Sequence, residues 1–182
     1  FKKNFFKFFY SFANIILVTT KDFKKEIKKY FNLNSIVHRQ SLDIENIKKK
    51  SKIKNKFTFF KNFNGLKIIN IGRLTDQKDQ ITLLKSIKLL NTKLKIRLII
   101  IGKGKNKKLL QSFIYKNNLE DKVMLLGYTN NPFPYIKKSN IVILTSKFEG
   151  LPNVLLEAQY LKKYIISTDC PTGPKEILLN GK

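Results

Sequence analysis

Two glutamates, Glu149 and Glu157, flank a short glycine-containing loop and the start of an expected helix. The helix is expected to begin near Pro152, because proline is tolerated in the first turn. Its free backbone N–H groups and the loop together form a place where an anion can bind. Glu157 lies about one turn inside this helix among largely apolar neighbours, so its carboxylate needs a partner, and the two hydroxyls of a diol would serve. We interpret the pair as ligand-binding residues; glutamates paired with nearby lysines are the alternative.

A second candidate site runs from Gly72 to Lys78, after an apolar run and before another expected helix. Gly72 lets the backbone turn tightly and approach a ligand. Asp76 is expected to cap the helix, which would put Lys78 in the first turn, where a cation is disfavoured. A bound anion would explain this cation, because the helix N-terminus, Arg73 and Lys78 would converge on phosphates. A solvated Lys78 balanced by the neighbouring aspartates is the alternative.

The elements that must position these residues are short apolar runs alternating with helix-like stretches. The runs are nearly continuous and rich in β-branched residues, as buried parallel strands are. The alternation predicts a doubly wound, Rossmann-like α/β sheet, which binds ligands beyond the carboxyl ends of its strands. Gly102–Gly104 lacks the third glycine of a dinucleotide-binding loop, and we expect a plain turn there. The expected strands are 15–18, 66–71, 96–101, 123–126, 141–144 and 164–166, and the expected helices are 22–31, 77–90, 105–117, 131–138 and 153–162.

A lysine-rich and then aromatic stretch at residues 43–64 divides the sequence. We expect this stretch to be a linker, either helix or tether, between two α/β blocks. The block before it, residues 1–42, is too short for an independent domain and is expected to be the end of a truncated N-terminal domain. The block after it, residues 65–182, is expected to be a second domain without its last helices.

The formal net charge of +25 raises the alternative of a basic module that binds nucleic acid or an anionic membrane. Only 3 of the 37 basic residues are arginine, whereas base and phosphate recognition favour the planar arginine fork. The charge is also spread, with 16 basic and 4 acidic residues in 1–61 and 21 and 8 in 62–182. We interpret most of it as a solvated background. A single cysteine (Cys170) and a single histidine (His38) leave neither a disulfide framework nor a Cys/His zinc site.

The first twelve residues contain an aromatic stripe. Phe5, Phe8, Phe9 and Phe12 would share one face of a helix, with lysines elsewhere. Such a helix could lie on a membrane surface or pack into a core with its lysines in water, and we favour the core. No apolar run reaches the length of a membrane-spanning helix.

The spacing of Glu149 and Glu157 matches the E-x7-E motif of retaining glycosyltransferases. With EGLPNVLLEA around it, GRLTDQK upstream and STDCPTGPKEIL downstream, the chain resembles family-four glycosyltransferases of the GT-B fold. The resemblance covers about residues 10–182 and is strongest over 65–177. It implies that residues 65–182 are the C-terminal, nucleotide-sugar-binding domain and that 1–42 is the end of the acceptor-side domain.

The resemblance also implies a role for each matching residue. Arg73 and Lys78 would neutralise the donor diphosphate, Glu149 would contact the hydroxyls of the donor sugar, and Glu157 would hold the ribose hydroxyls. The base would lie near the turn after the expected strand 123–126, and loop backbone would approach the sugar and phosphate. The further donor-binding positions implied are Gly72, Gly127, Tyr128, Gly150, Leu151, Pro152, Asn153 and Val154.

The implied activity is the retaining, metal-independent transfer of a hexose or N-acetylhexosamine from a nucleotide-diphosphate sugar, with a UDP-sugar favoured. The implied acceptor is a surface glycan or a lipid-linked glycan, with no cofactor, no metal and no nucleic acid. The enzyme is expected in the cytoplasm, peripheral at the inner face of the membrane, and the fragment alone is expected to be inactive. A GT-B nucleotide-sugar epimerase is the alternative enzyme. The sequence departs from the family near His38, which we therefore do not assign to the site.

Overall fold

The computed structural model describes residues 2–39, 41–90 and 93–179, and it divides into two compact units. The smaller unit comprises Phe1–Leu42, Phe148–Pro152 and Asp169–Lys182, and the larger comprises Asp43–Lys147 and Asn153–Thr168. The strands are β1 (Leu17–Val18), β2 (Ile36–Val37), β3 (Leu66–Ile71), β4 (Ile96–Ile101), β5 (Val123–Gly127), β6 (Ile141–Leu144) and β7 (Tyr164–Ser167). The helices are α1 (Lys2–Ser11), α2 (Lys21–Phe31), α3 (Ile44–Ser51), α4 (Gln80–Leu90), α5 (Lys107–Lys116), α6 (Phe133–Lys138), α7 (Asn153–Tyr160) and α8 (Pro174–Ile177).

The larger unit is built on a five-stranded sheet in the order β5-β4-β3-β6-β7, and every neighbouring pair is parallel. The chain proceeds from β3 outward to β5 and then returns to β6 on the other side of β3. This reversal places a topological switch point between β3 and β6, where sheets of this type bind ligands beyond the carboxyl ends. The predicted doubly wound parallel sheet is confirmed.

The core of the larger unit lies against the two central strands. Leu98 and Ile99 of β4 are fully buried, and Leu83, Leu84 and Ile87 of α4 pack into the same core. These strands are buried on both faces, which explains their nearly continuous runs of β-branched residues. The sheet therefore holds the loops at its carboxyl edge on a rigid base.

The smaller unit contains a two-stranded parallel sheet of β1 and β2 with helices α1, α2 and α8. Thr20 caps α2 by accepting from the Phe23 backbone N–H at 3.1 Å, and Asn32 ends it in the left-handed conformation. Leu17 and Ile36 are each 59 % exposed, although parallel strands are usually covered on both faces.

The aromatic stripe of α1 is not buried. Phe5, Phe8, Phe9 and Phe12 are between 54 % and 70 % exposed, and their rings contact one another along the helix. The favoured expectation of a core-packing helix is therefore wrong for the chain as described. None of the helices described is long and apolar enough to cross a membrane.

Candidate functional site

Residues after β3 and β6 meet at the carboxyl edge of the larger unit's sheet. Gly72 directly follows β3, and Thr145 directly follows β6, the neighbouring strand at the switch point. The Thr145 hydroxyl donates to the Lys78 backbone carbonyl at 3.0 Å. The Lys147 backbone N–H donates to the Gln77 carbonyl at 2.8 Å. These two bonds tie the β3–α4 loop to the end of β6.

Lys78 lies in a turn rather than in a helix. Its backbone N–H donates to the Thr75 carbonyl at 3.1 Å, and α4 begins only at Gln80. Asp79 between them adopts a left-handed φ of 46°, which ends the turn before the helix starts. The expectations of a helix from residue 77 and of Lys78 in its first turn are therefore wrong, and so is the helix-dipole argument that depended on them.

The side chain of Lys78 passes over the backbone of Gly72. A Cβ atom added at Gly72 would lie 3.4 Å from both Cδ and Cε of Lys78. Lys78 is half-buried, and its methylene groups pack against the Gly72 backbone, which restricts where its ammonium group can lie. A side chain at this position would thus make ordinary van der Waals contact with Lys78, which lies against the end of β3.

Arg73 is exposed beside this turn, and its backbone is fixed from below. The buried Gln80 side chain donates from Nε2 to the Arg73 carbonyl at 2.9 Å. The Arg73 guanidinium donates to Gln77 Oε1 at 3.3 Å. The structure thus brings Arg73 and Lys78 together on one loop at the switch point, with a combined charge suited to phosphate.

Asp76 does not cap α4. Its carboxylate accepts hydrogen bonds from Lys105 and Asn106, and these bonds lower the pKa of the Asp76 carboxyl group, with the Lys105 charge contributing further. The predicted cap is therefore wrong because the loop before α5 offers Asp76 closer partners. The result is a cross-link between the β3–α4 and β4–α5 loops.

The glycines of the β4–α5 loop have a packing role that the sequence did not reveal. A Cβ at Gly102 would collide with the Gly72 carbonyl oxygen, and a Cβ at Gly104 would collide with the backbone of Leu74. The Leu74 backbone N–H donates to the Lys103 carbonyl at 3.0 Å across the same contact. The expected plain turn is in fact a close approach of two loops, and the signal was two glycines directly after a strand.

Gly127 is the last residue of β5, one residue beyond the expected end of the strand, and Tyr128 directly follows it. Gly127 has a φ of 85°, a conformation that favours glycine, although a Cβ there would meet no atom within 4 Å. Tyr128 is 64 % exposed, and Lys103 Nζ lies 5.1 Å from its ring centroid. An exposed aromatic ring, with Lys103 over it, therefore lies at the carboxyl end of β5.

Glu157 lies on α7 as expected and is half-buried. Burial raises the pKa of its carboxyl group, because the charged form loses hydration. Within the described ranges, no side-chain hydrogen bond or ion pair reaches this carboxylate. Asn153 begins the helix, one residue before Val154, and its buried Oδ1 also has no hydrogen-bond partner among the described atoms.

The loop Glu149–Pro152 belongs to the smaller unit, where the segment before α8 holds it. The Glu149 backbone N–H donates to the Pro171 carbonyl at 2.9 Å, and the Thr172 hydroxyl donates to the Glu149 carbonyl. A Cβ at Gly173 would collide with the Gly150 carbonyl oxygen. Thr172 and Gly173 are thus positioning residues for this loop that the sequence analysis did not single out, although a glycine directly before a proline was a usable signal.

The described residues contain no group of three or more metal-ligating side chains. In the larger unit, the predicted donor-binding residues all follow the carboxyl ends of parallel strands or lie on the helix after such a loop. Glu149, Gly150, Leu151 and Pro152 form one loop of the smaller unit. The assignment of the twelve residues to a donor site stays a prediction.

This α/β architecture, with its five-stranded parallel sheet, matches glycosyltransferases of the GT-B fold. TarM of Staphylococcus aureus, solved with UDP, superposes with a TM-score of 0.76 at 24 % identity, over 90 % of this chain and 31 % of that one. The Anabaena protein HepE, solved with UDP, gives a TM-score of 0.74 at 19 % identity, over 88 % of this chain and 46 % of that one. The chain belongs to the group 1 glycosyl transferases, whose family model matches residues 43–182.

Relatives of known sequence extend well beyond this chain. A glycosyltransferase of Methanocaldococcus jannaschii is 41 % identical over 187 residues, which cover 95 % of this chain and 44 % of the relative. The N-acetylgalactosamine-N,N'-diacetylbacillosaminyl-diphospho-undecaprenol 4-alpha-N-acetylgalactosaminyltransferase of Campylobacter jejuni is 32 % identical, over 92 % of this chain and 45 % of the relative. The chain spans less than half the length of these curated relatives.

Proposed function

We propose that this chain is the donor-binding part of a glycosyltransferase. The enzyme transfers a hexose or N-acetylhexosamine from a nucleotide-diphosphate sugar, with a UDP-sugar favoured, to a glycan or lipid-linked glycan. The observation that carries the proposal is the pairing of Arg73 and Lys78 on a braced loop at the switch point, beside the carboxyl ends of β3 and β6. The family membership and the printed names of the relatives support the same reaction class.

The chemistry assigned to this loop is stabilisation of the leaving group. As the bond between the sugar's anomeric carbon and the diphosphate breaks, negative charge grows on the departing diphosphate. Arg73 and Lys78 meet that charge with preorganised cations, so transfer proceeds without a metal in this proposal. The acceptor hydroxyl oxygen bonds to the anomeric carbon on the leaving-group face as the bond to the diphosphate breaks, the hydroxyl proton passes to the departing diphosphate, and the anomeric configuration is retained. Glu149 binds the sugar hydroxyls and is not assigned a covalent role.

The nucleoside part is assigned to the residues around α7 and β5. Glu157 accepts from the two ribose hydroxyls, which give its partly desolvated carboxylate the partners that the described protein atoms do not. The base is assigned to Gly127 and the exposed ring of Tyr128. The sugar and phosphates are assigned to the backbone of Gly150–Asn153 and the start of α7.

A ligand-observed NMR screen tests the donor class. UDP-, GDP- and ADP-sugars are each added to the purified protein, and saturation transfer to the base and sugar protons is compared. We expect transfer from the protein to a UDP-sugar. Transfer to none of the three would contradict the proposed function.

The exposed stripe of α1 supports work at an anionic membrane surface. Phe5, Phe8, Phe9 and Phe12 offer an apolar face on a chain with a formal charge of +25, which anionic headgroups complement. The C. jejuni relative is named for a diphospho-undecaprenol-linked substrate. Co-sedimentation with phosphatidylglycerol vesicles should exceed that with phosphatidylcholine vesicles and fall for Phe8→Ser/Phe12→Ser. Co-sedimentation that is insensitive to anionic lipid would refute membrane association of this kind.

A further inference from the structure

A cavity of about 560 Å³ opens in the larger unit at the amino end of the sheet. It lies beside Lys67, the second residue of β3, whose backbone N–H and carbonyl bond Asn140 just before β6. Five residues separate Lys67 from Gly72 along this strand, which corresponds to about 16 Å. The cavity is therefore distinct from the Arg73 and Lys78 loop at the carboxyl edge.

The lining of this cavity is strongly cationic. Lys56, Lys61, Lys67 and Lys138 all contribute to it, and none of the residues described in the lining is acidic. Four lysines on one cavity make the local potential positive, which favours a bound anion. These lysines come from three separate stretches of the chain and are brought to one cavity by the fold. A charge that is merely scattered over the surface would not require such a cluster.

Lys138 is held in the cavity by specific contacts. Its Nζ donates to Asn55 Oδ1 at 2.5 Å and lies 5.8 Å from the centroid of the Phe57 ring. The Phe57 ring packs edge-on against Phe60 and Tyr135, which fixes the aromatic floor. These two contacts orient the cation of an exposed residue.

Asn55 also lines the cavity, and its side-chain oxygen accepts the hydrogen bond from Lys138. Its Nδ2 has no hydrogen-bond acceptor among the described residues, but this atom is buried and does not reach the open cavity. The polar part of the lining therefore consists of four lysines with Asn55 and Thr58.

We propose that this cavity is a binding site for a phosphate-bearing anion, separate from the donor site. Phosphate fits because it carries more than one charge and several acceptor oxygens, and lysine binds it as a point charge. The same chemistry is offered by a soluble pyrophosphate and by the headgroup of an anionic phospholipid. The two sources are distinguished by experiment.

The test is calorimetric titration of pyrophosphate into the purified protein at near-physiological salt, where long-range background attraction is screened. The variant Lys61→Gln/Lys138→Gln removes two lining cations, and Lys85→Gln/Lys88→Gln removes two exposed lysines of α4 as the matched control. We expect the first variant to bind pyrophosphate about tenfold more weakly or worse, and the control to bind like the parent. Equal losses in both variants, or no binding by the parent, would overturn the site.

Lys78→Ala provides the comparison with the carboxyl edge. Because pyrophosphate also resembles the donor diphosphate, this variant removes the competing interaction. The proposal expects the Lys61 and Lys138 effect to persist in the Lys78→Ala background. Loss of all pyrophosphate binding in Lys78→Ala alone would overturn the proposal.

Vesicles then distinguish the source of the phosphate. If the site takes a lipid headgroup, Lys61→Gln/Lys138→Gln also loses binding to phosphatidylglycerol vesicles, and pyrophosphate displaces the parent protein from these vesicles. If the site takes a soluble phosphate, the variant loses pyrophosphate and keeps vesicle binding. Unfolding midpoints close to that of the parent protein confirm that both double variants remain folded.

Discussion

The half-buried carboxylate of Glu157 predicts opposite effects on stability and on ligand binding. Glu157→Gln keeps the shape of the side chain and removes its charge. The burial that raises the pKa of Glu157 disfavours ionisation in the folded state, and the described residues offer the carboxylate no compensating partner. The substitution should therefore raise the free energy of unfolding at neutral pH and weaken the binding of the nucleotide.

The sign of the pH dependence follows from proton counting. With a folded-state pKa above the unfolded value, the folded protein holds more protons between the two values, so stability falls as pH rises through that window. The full cost is present above the raised folded-state pKa and absent below the ordinary value of a glutamate. Urea unfolding should thus separate Glu157→Gln from the parent at neutral pH and show no difference from this group in acid.

The expected loss of affinity comes from the ribose contact. A carboxylate accepts from both hydroxyls of a diol, whereas a glutamine carbonyl offers one uncharged oxygen. Losing a charge-assisted hydrogen bond costs about 1.5–3 kcal/mol, or roughly 10- to 100-fold in the dissociation constant. Calorimetric titration of UDP into Glu157→Gln measures this loss, and Glu120→Gln, at an exposed position, is the matched control.

Two results of these measurements would refute the reasoning about Glu157. If Glu157→Gln is more stable but binds UDP as tightly as the parent, then the buried carboxylate has only a structural cost and no ribose partner. If its stability and its pH dependence are both unchanged, then the carboxylate is better solvated than its burial indicates.

Three further predictions concern the loops that hold the site. Gly102→Ala should lower the free energy of unfolding by about 1–3 kcal/mol in urea unfolding, because its Cβ would collide with the Gly72 carbonyl; an unchanged midpoint would contradict that close approach. Thr145→Val should weaken UDP about 2- to 10-fold in a titration by releasing the Lys78 carbonyl, while unchanged affinity would mean that the bond does not position Lys78. Asp76→Asn should flatten the acid limb of stability, since the lowered pKa gives stability that is lost as pH falls through it; an identical acid limb would contradict the contacts with Lys105.

The sheet of the larger unit could be predicted closely because its strands are buried on both faces. Continuous β-branched runs gave β3, β4 and β6 with their observed bounds. The order and the switch point follow once strands and helices alternate. The short strand β2 was not located from the sequence, because its two residues carry too little periodicity to be recognised.

The wrong predictions at the site arose from contacts between distant residues. Asp76 is a good capping residue by type, but its partner Lys105 lies 29 positions further along the chain. The left-handed Asp79 delays α4 to Gln80, and nothing in the local sequence required that conformation. Prediction from local propensity therefore failed at Asp76, because residues of the loop before α5 bind its side chain.

The lysine-lined cavity could not be recognised from the sequence for a similar reason. Its lysines come from residues 56–61, the start of β3 and the end of α6, and the surrounding sequence is rich in lysine everywhere. Only the fold brings four of them around Phe57 and Asn55. The net charge of +25 therefore does not reveal that four of the lysines line one cavity.

The most direct test of the donor site compares uridine and UDP in the parent protein and in Lys78→Ala. Both ligands share the nucleoside, and only UDP carries the diphosphate assigned to Arg73 and Lys78. We expect Lys78→Ala to weaken UDP by about tenfold or more while leaving uridine unchanged. Equal UDP affinity in the two proteins would contradict the assignment of this loop to the diphosphate.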